Sequence, residues 1–121
     1  MSMGIGAFRD PMTALRRLGG AVTVESANHN RLARLKAVQA HLAAERTPGP
    51  DIATGMLAVS LVANALTAHG RLSEIDGWPS QESLTDSVRE LGLRLGRESE
   101  LPTHIELRRP DGSTLRLARA S

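Results

Sequence analysis

Chemistry in this chain would have to come from histidines, carboxylates, serines and arginines, because it contains no cysteine and no tyrosine. Without Cys there is no thiol nucleophile, no disulfide framework and no cysteine-ligated zinc. The imidazoles are His29, His41, His69 and His104. No two of them have the HExxH spacing that sets two rings over one metal on a helix face. His29 and His41 stand twelve residues apart, which on a helix is a rise of about 18 Å, too far to share an ion unaided. His69, expected at a helix C-terminus, suits the negative end of the dipole there.

The carboxylates Glu74, Asp76, Glu82, Asp86 and Glu90 crowd one stretch, where a paired-acid or Mg²⁺ site would be the chemistry to suspect. Arg89, Arg94 and Arg97 fall among and just after them, so a solvated helix laced with ion pairs is the expected use of these charges. Gly4-Ile5-Gly6 lacks the preceding strand and the third glycine of a phosphate-cradling loop, and no GxSxG elbow exposes a serine. The chain is therefore expected not to be an enzyme, to bind no metal and to need no cofactor.

Its 121 residues fit a single domain over 1–121, with one Trp and one Phe among them. The core must then be aliphatic, and exposed aromatic platforms for stacking bases are lacking. Of fifteen basic residues fourteen are Arg, against thirteen acids. The charge is segregated: residues 1–50 hold seven bases and three acids, 51–100 four and eight, and 101–121 four and two. A basic start, acidic middle and basic end can neutralise one another within a fold or across a dimer. Met3 to Phe8 is too short and lacks the flanks of a secretory signal. A soluble, cytoplasmic chain with no membrane contact is expected.

The elements that would position these side chains can be read from periodicity and punctuation. Asp10-Pro11 opens a helix over about 11–18, which Gly19-Gly20 ends. Ala21 to Val24 reads as an extended connector. Ser26 or Asn28 opens a second helix, about 29–46, whose stripe is Leu32, Leu35, Val38 and Leu42 and whose stop is Thr47-Pro48-Gly49-Pro50. Asp51 caps a third, about 52–69, ending at Gly70; residues 52–68 carry no charge. Four polar residues interrupt that run, so a buried helix suits it better than a membrane span. Arg71 to Ser80 is a loop holding Trp78. A fourth helix follows over about 81–96, although Leu91-Gly92-Leu93-Arg94-Leu95 also alternates like a strand. Alternation of Ile105 and Leu107, then of Leu115 and Leu117, around Arg109-Pro110-Asp111-Gly112 gives a β-hairpin over about 104–118. The fold class expected is mostly α, a small four-helix domain with a C-terminal hairpin.

On these grounds the chain reads as a small interaction or structural subunit that forms a homo-oligomer and binds a protein partner. Met56, Val59, Leu61, Val62 and Leu66 of the uncharged helix are its expected oligomer seam. Trp78, Arg108, Arg109, Arg116 and Arg119 are its expected contacts to a partner or to phosphates. Trp78 has a competing use as a lid folded over the third and fourth helices. The alternative function is a winged-helix-like DNA-binding regulator, with 81–96 as recognition helix and the Arg-rich hairpin as wing. Against it, the first turns of 81–96 hold Gln81, Glu82 and Asp86 rather than cations.

Overall fold

A computed structural model describes residues 20–45 and 52–120. The expected helix over 11–18 and the stop at 47–50 lie outside the described residues. The described elements are α1 (Gly20–Ala44), α2 (Ile52–Ala68), a 3-10 helix (Leu72–Gly77), α3 (Gln81–Leu95), β1 (His104–Arg108) and β2 (Thr114–Ala118). The class is mostly α with a C-terminal antiparallel hairpin. No helix among the described residues is long and apolar enough to cross a membrane.

The chain divides into two compact units, Met1–Asn30 and Arg31–Ser121, where the sequence suggests one domain. In the first unit the description begins with the opening stretch of α1. Residues 21–24 are helical there, not extended, and Ser26 and Asn28 lie inside the helix rather than at its start. β-branched Val and Thr cost a helix only a few tenths of a kcal/mol each, and residues 20–44 contain no proline to stop it. None of residues 24–30 is buried.

The second unit is built around α2. Gly55, Ala58, Val59, Val62, Ala65 and Leu66 form its buried face, which meets Leu35, Val38 and Leu42 of α1 and Leu84, Val88, Leu91 and Leu95 of α3 in one cluster. A Cβ placed on Gly55 would lie 3.5 Å from the Leu42 Cβ, which marks how closely α1 passes. Leu32, expected on the α1 stripe, is exposed; at 100° per residue it sits at the stripe's edge. Gly70 at φ 62° stops α2. The Arg71 N–H reaches back to the Leu66 carbonyl at 2.8 Å and Gly70 N–H to Thr67 at 3.2 Å, a Schellman pattern that satisfies the last orphan carbonyls.

Ser80 caps α3, its hydroxyl accepting from Ser83 N–H at 3.0 Å. The stretch 91–95 is helical, with Leu91, Gly92 and Leu95 inward and Leu93 outward. A strand would have put all three leucines on one face. In the hairpin Ile105 pairs with Leu117 and Leu107 with Leu115, and these four point inward onto the helices. Gly112 at φ 92° closes the turn, donating to the Arg109 carbonyl at 3.0 Å.

Between α2 and α3 the chain is pinned by Trp78, which is fully buried. Its indole N–H donates to Ser87 Oγ at 2.9 Å, and the Ser87 hydroxyl donates to the Arg108 carbonyl. The Arg109 guanidinium lies over the ring, 5.5 Å from its centroid. Room for it exists because residue 77 is glycine: an added Cβ there would stand 2.8 Å from Arg109 Nε. Trp78 is thus a lid, and it presents no surface to a partner.

Ser87→Ala would leave a buried indole N–H and the Arg108 carbonyl without partners, a loss of about 1–3 kcal/mol. Urea unfolding followed by the single Trp emission measures it, and a variant as stable as the parent would dismiss the bridge. Gly77→Ala should fold but expel Arg109 from the ring, costing about 1 kcal/mol from the lost cation–π contact and shifting the Trp78 emission.

Candidate functional site

Two open grooves flank α3. One, of about 300 Å³, lies between α3 and the hairpin turn and is lined by Ser83, Asp86, Ser87, Glu90, Arg108, Arg109 and Pro110. The other, of about 540 Å³, lies between α1 and α3 and is lined by Ala37, His41, Gln81, Glu82, Thr85, Asp86 and Arg89. Their hydroxyl groups are already committed to backbone. Ser83 Oγ donates to the Ser80 carbonyl at 2.8 Å, Thr85 Oγ1 to Gln81 at 3.0 Å, and Ser87 to Arg108. None is hydrogen-bonded to an imidazole or carboxylate that could take its proton, as a nucleophile requires. Among the described residues no three His, Asp or Glu side chains gather where a metal could sit.

The charged side chains act mainly as clamps. Arg34 on α1 donates to the carbonyls of Trp78 at 2.6 Å, Ser80 at 3.2 Å and Ile75 at 3.3 Å, gathering the turn between α2 and α3. Gln81 answers by donating to the Arg34 carbonyl at 2.8 Å. Arg31 forks onto Asp76 at 2.6 and 3.1 Å, and hydrogen bonding to it holds the Asp76 carboxyl below the usual range. Glu45 at the end of α1 accepts two bonds from Arg89 of α3. That pairing lowers the Glu45 pKa and raises that of Arg89. Arg89 also reaches Asp86 at 2.6 Å, and His41 stands 3.6 Å from Glu45. Of the acidic group, Asp76, Asp86 and Glu90 each have an arginine within 4 Å and Glu74 has two. Four of the five carboxylates of this group are thus in ion pairs.

The five expected contact residues do not form one surface. Trp78 is internal, and Arg109 is held between its ring, Glu74 and Ser113. A guanidinium kept there is structural, which corrects its assignment as a partner or phosphate contact. Arg119 is exposed but donates to the carbonyls of Leu101 at 3.2 Å and Pro102 at 3.4 Å. Arg108 and Arg116 lie on the hairpin's outer face, with Arg116 opposite Glu106 in register and 3.9 Å from it.

The expected oligomer seam also divides. Val59, Val62 and Leu66 are buried within this chain's own core, Leu61 is half-buried, and Met56 is 39% exposed. The first three cannot meet a second copy without opening the core. α1 and α3 claim the face centred on Val62, leaving Ile52 and Met56 outside.

Four residues outside the expected set hold the hairpin's edges. Arg94 donates to the Glu106 carbonyl and Ser87 to that of Arg108 on the β1 side. Arg71 reaches the Arg116 carbonyl at 3.3 Å and His69 Nε2 that of Ala118 at 3.2 Å on the β2 side. Two outward carbonyls on each edge are therefore occupied, which blunts the edges against a third strand. The outward line of α3 holds Glu82, Asp86 and Glu90, the last two paired with Arg89 and Arg94, so it offers phosphate no surplus of positive charge.

The chain matches no family model, no curated protein and no solved structure.

The depressed carboxyls of Glu45 and Asp76 stabilise the fold fully above their unfolded pKa values, about 4.3 and 3.9, and less as pH falls through the lower folded values. Thermal unfolding should be flat from pH 7 to about 5 and weaken below about 4. Asp76 is well exposed and its part is screened by salt, so Glu45 should dominate. Glu45→Gln should lower stability at pH 7 and flatten the acid limb. An unchanged limb would remove Glu45 from the account.

Proposed function

We propose that this chain is a small, non-enzymatic interaction subunit that associates with a second copy of itself through the outward face of α2. The observation that supports this is an exposed helix face without a single charge. Ile52 is 54% and Met56 39% exposed, and Ala53, Ser60, Asn64 and Thr67 share their side of the helix. Leu57, Leu61 and Ala63 border it half-buried. The outward line of α3 is acidic by contrast. A free helix surface ordinarily carries charge, and a face that lacks it meets a copy of itself with no like-charge repulsion. Ala53, Ser60 and Ala63 are small enough to let two such helices approach, and Asn64 and Thr67 supply hydrogen bonds across a two-fold axis.

The size of the face sets the strength. Seventeen residues make α2 about 26 Å long, and one helix face falls well short of the ~800 Å² per partner of a stable complex. Association should be weak and concentration-dependent.

Sedimentation velocity over a concentration series tests it. The parent's mass should climb toward two copies, and Met56→Arg combined with Ser60→Arg should hold it at one. Both positions are exposed, so the variant should melt as the parent does. A parent monomeric throughout, or a folded variant that associates equally, refutes the reading.

A further inference from the structure

We propose that the outer face of the hairpin, with Arg71 at its β2 edge, is a sequence-independent contact for the phosphate backbone of a nucleic acid. This goes beyond self-association and rests on different residues. Three guanidiniums gather there, Arg108 and Arg116 on the face and Arg71 at its edge, with Arg119 just beyond the end of β2. Arg108 makes no side-chain hydrogen bond or ion pair among the described residues and is exposed. Arg116 is 64% exposed and only 3.9 Å from Glu106 by its Nε, which leaves its terminal nitrogens for another ligand. Arg119 spends its bonds on carbonyls, which leave its charge uncompensated. Arg71 touches the Arg116 carbonyl, and its contact to Glu74 is 3.9 Å long. Glu106 is the one carboxylate among the outward side chains of the two strands.

The chemistry of the patch selects its ligand. Planar guanidinium forks match phosphate oxygens in pairs. The outward side chains of both strands include His104 but no Phe, Tyr or Trp and no large aliphatic residue. A protein interface would want such an anchor at its centre, and a membrane-bound surface would want one to insert. With Trp78 buried, no described Phe, Tyr or Trp is free to stack on a base. Glu82, Asp86 and Glu90 on the outward line of α3, the last two paired with Arg89 and Arg94, leave that helix no surplus of positive charge with which to enter a groove. What remains is charge meeting backbone, a mode that is salt-dependent and indifferent to sequence.

Fluorescence anisotropy of a labelled ~20-bp duplex, titrated with the full chain from about 50 mM salt upward, reads the contact. Binding is expected at the lowest salt, falling on a log–log plot with a slope of about −0.9 per phosphate engaged. Arg108→Gln with Arg116→Gln should make that slope shallower by about 1.8, two contacts' worth, while the melting temperature stays near the parent's. Lys36→Gln, on exposed α1 surface, should change neither. No binding at the lowest salt, or an unchanged slope in the folded double variant, overturns the proposal. Equal or tighter binding to phosphatidylserine vesicles overturns it in favour of a lipid surface.

Discussion

The Trp78 indole gives its N–H to Ser87 on α3, and Ser87 gives its own proton to the Arg108 carbonyl on β1. Around this chain of two bonds the second unit is assembled. The same residue's carbonyl is held by Arg34 from α1, and its ring face by Arg109 from the hairpin turn. One residue therefore ties the loop after α2, through its carbonyl and its ring, to both remaining helices and to the sheet. In a core otherwise built from Leu, Val, Ile and Ala, a buried indole needs a partner for its only polar atom. Ser87 is the buried hydroxyl that supplies it. The constraint also explains Gly77, where a side chain would collide with the arginine that covers the ring.

A two-stranded hairpin is marginal by itself in water, and this one persists because the helices satisfy it from three directions. Its inward leucines and isoleucine join the aliphatic cluster. Its two edges are met by Arg94 and Ser87 on one side and by Arg71 and His69 on the other. Arginine serves well here because a long stem can lie along the sheet while the fork reaches a carbonyl. Several of the chain's many arginines are thus used for architecture, and its basic composition overstates how much positive charge is free to meet a ligand.

Periodicity and punctuation revealed α2, α3, the hairpin and its turn from sequence, because each is marked by local chemistry: Gly70, Ser80, and Pro110 followed by Gly112. The start of α1 was not legible. Ala21 to Val24 has β-leaning residue types, and only the absence of a helix breaker through Ala44 argues otherwise. The direction of the α2 face was not legible either, since in a helix with no charge from 52 to 68 nothing polar enough marks the solvent side. Among the arginines, sequence alternation placed Arg108 and Arg116 outward. It could not show that Arg109 turns back over Trp78, because that depends on Gly77, thirty-two residues earlier in the chain. Arg34 and Arg71 carry no local signal at all; their partners are backbone carbonyls distant in sequence.

The charge segregation along the chain acquires a physical meaning once the contacts are known. Acids in the middle of the sequence are met by arginines from α1 and from the hairpin turn, through Arg31–Asp76 and Arg109–Glu74, while Arg89 of α3 pairs with Glu45 at the end of α1. Neutralisation is therefore uneven over the surface. The outward line of α3 carries acids mostly paired within the same helix, the face of α2 stays uncharged, and the hairpin stays basic. Surfaces of three different kinds on one small unit do not compete for the same partner. Pairing two copies through α2 would leave both hairpins free and double the arginines that one polyanion could meet. A second contact made within the same assembly occurs at an effective concentration far above that of a free copy. A weak α2 contact and a weak phosphate contact would then reinforce each other, and neither need be strong alone for the pair to act on a long anionic polymer.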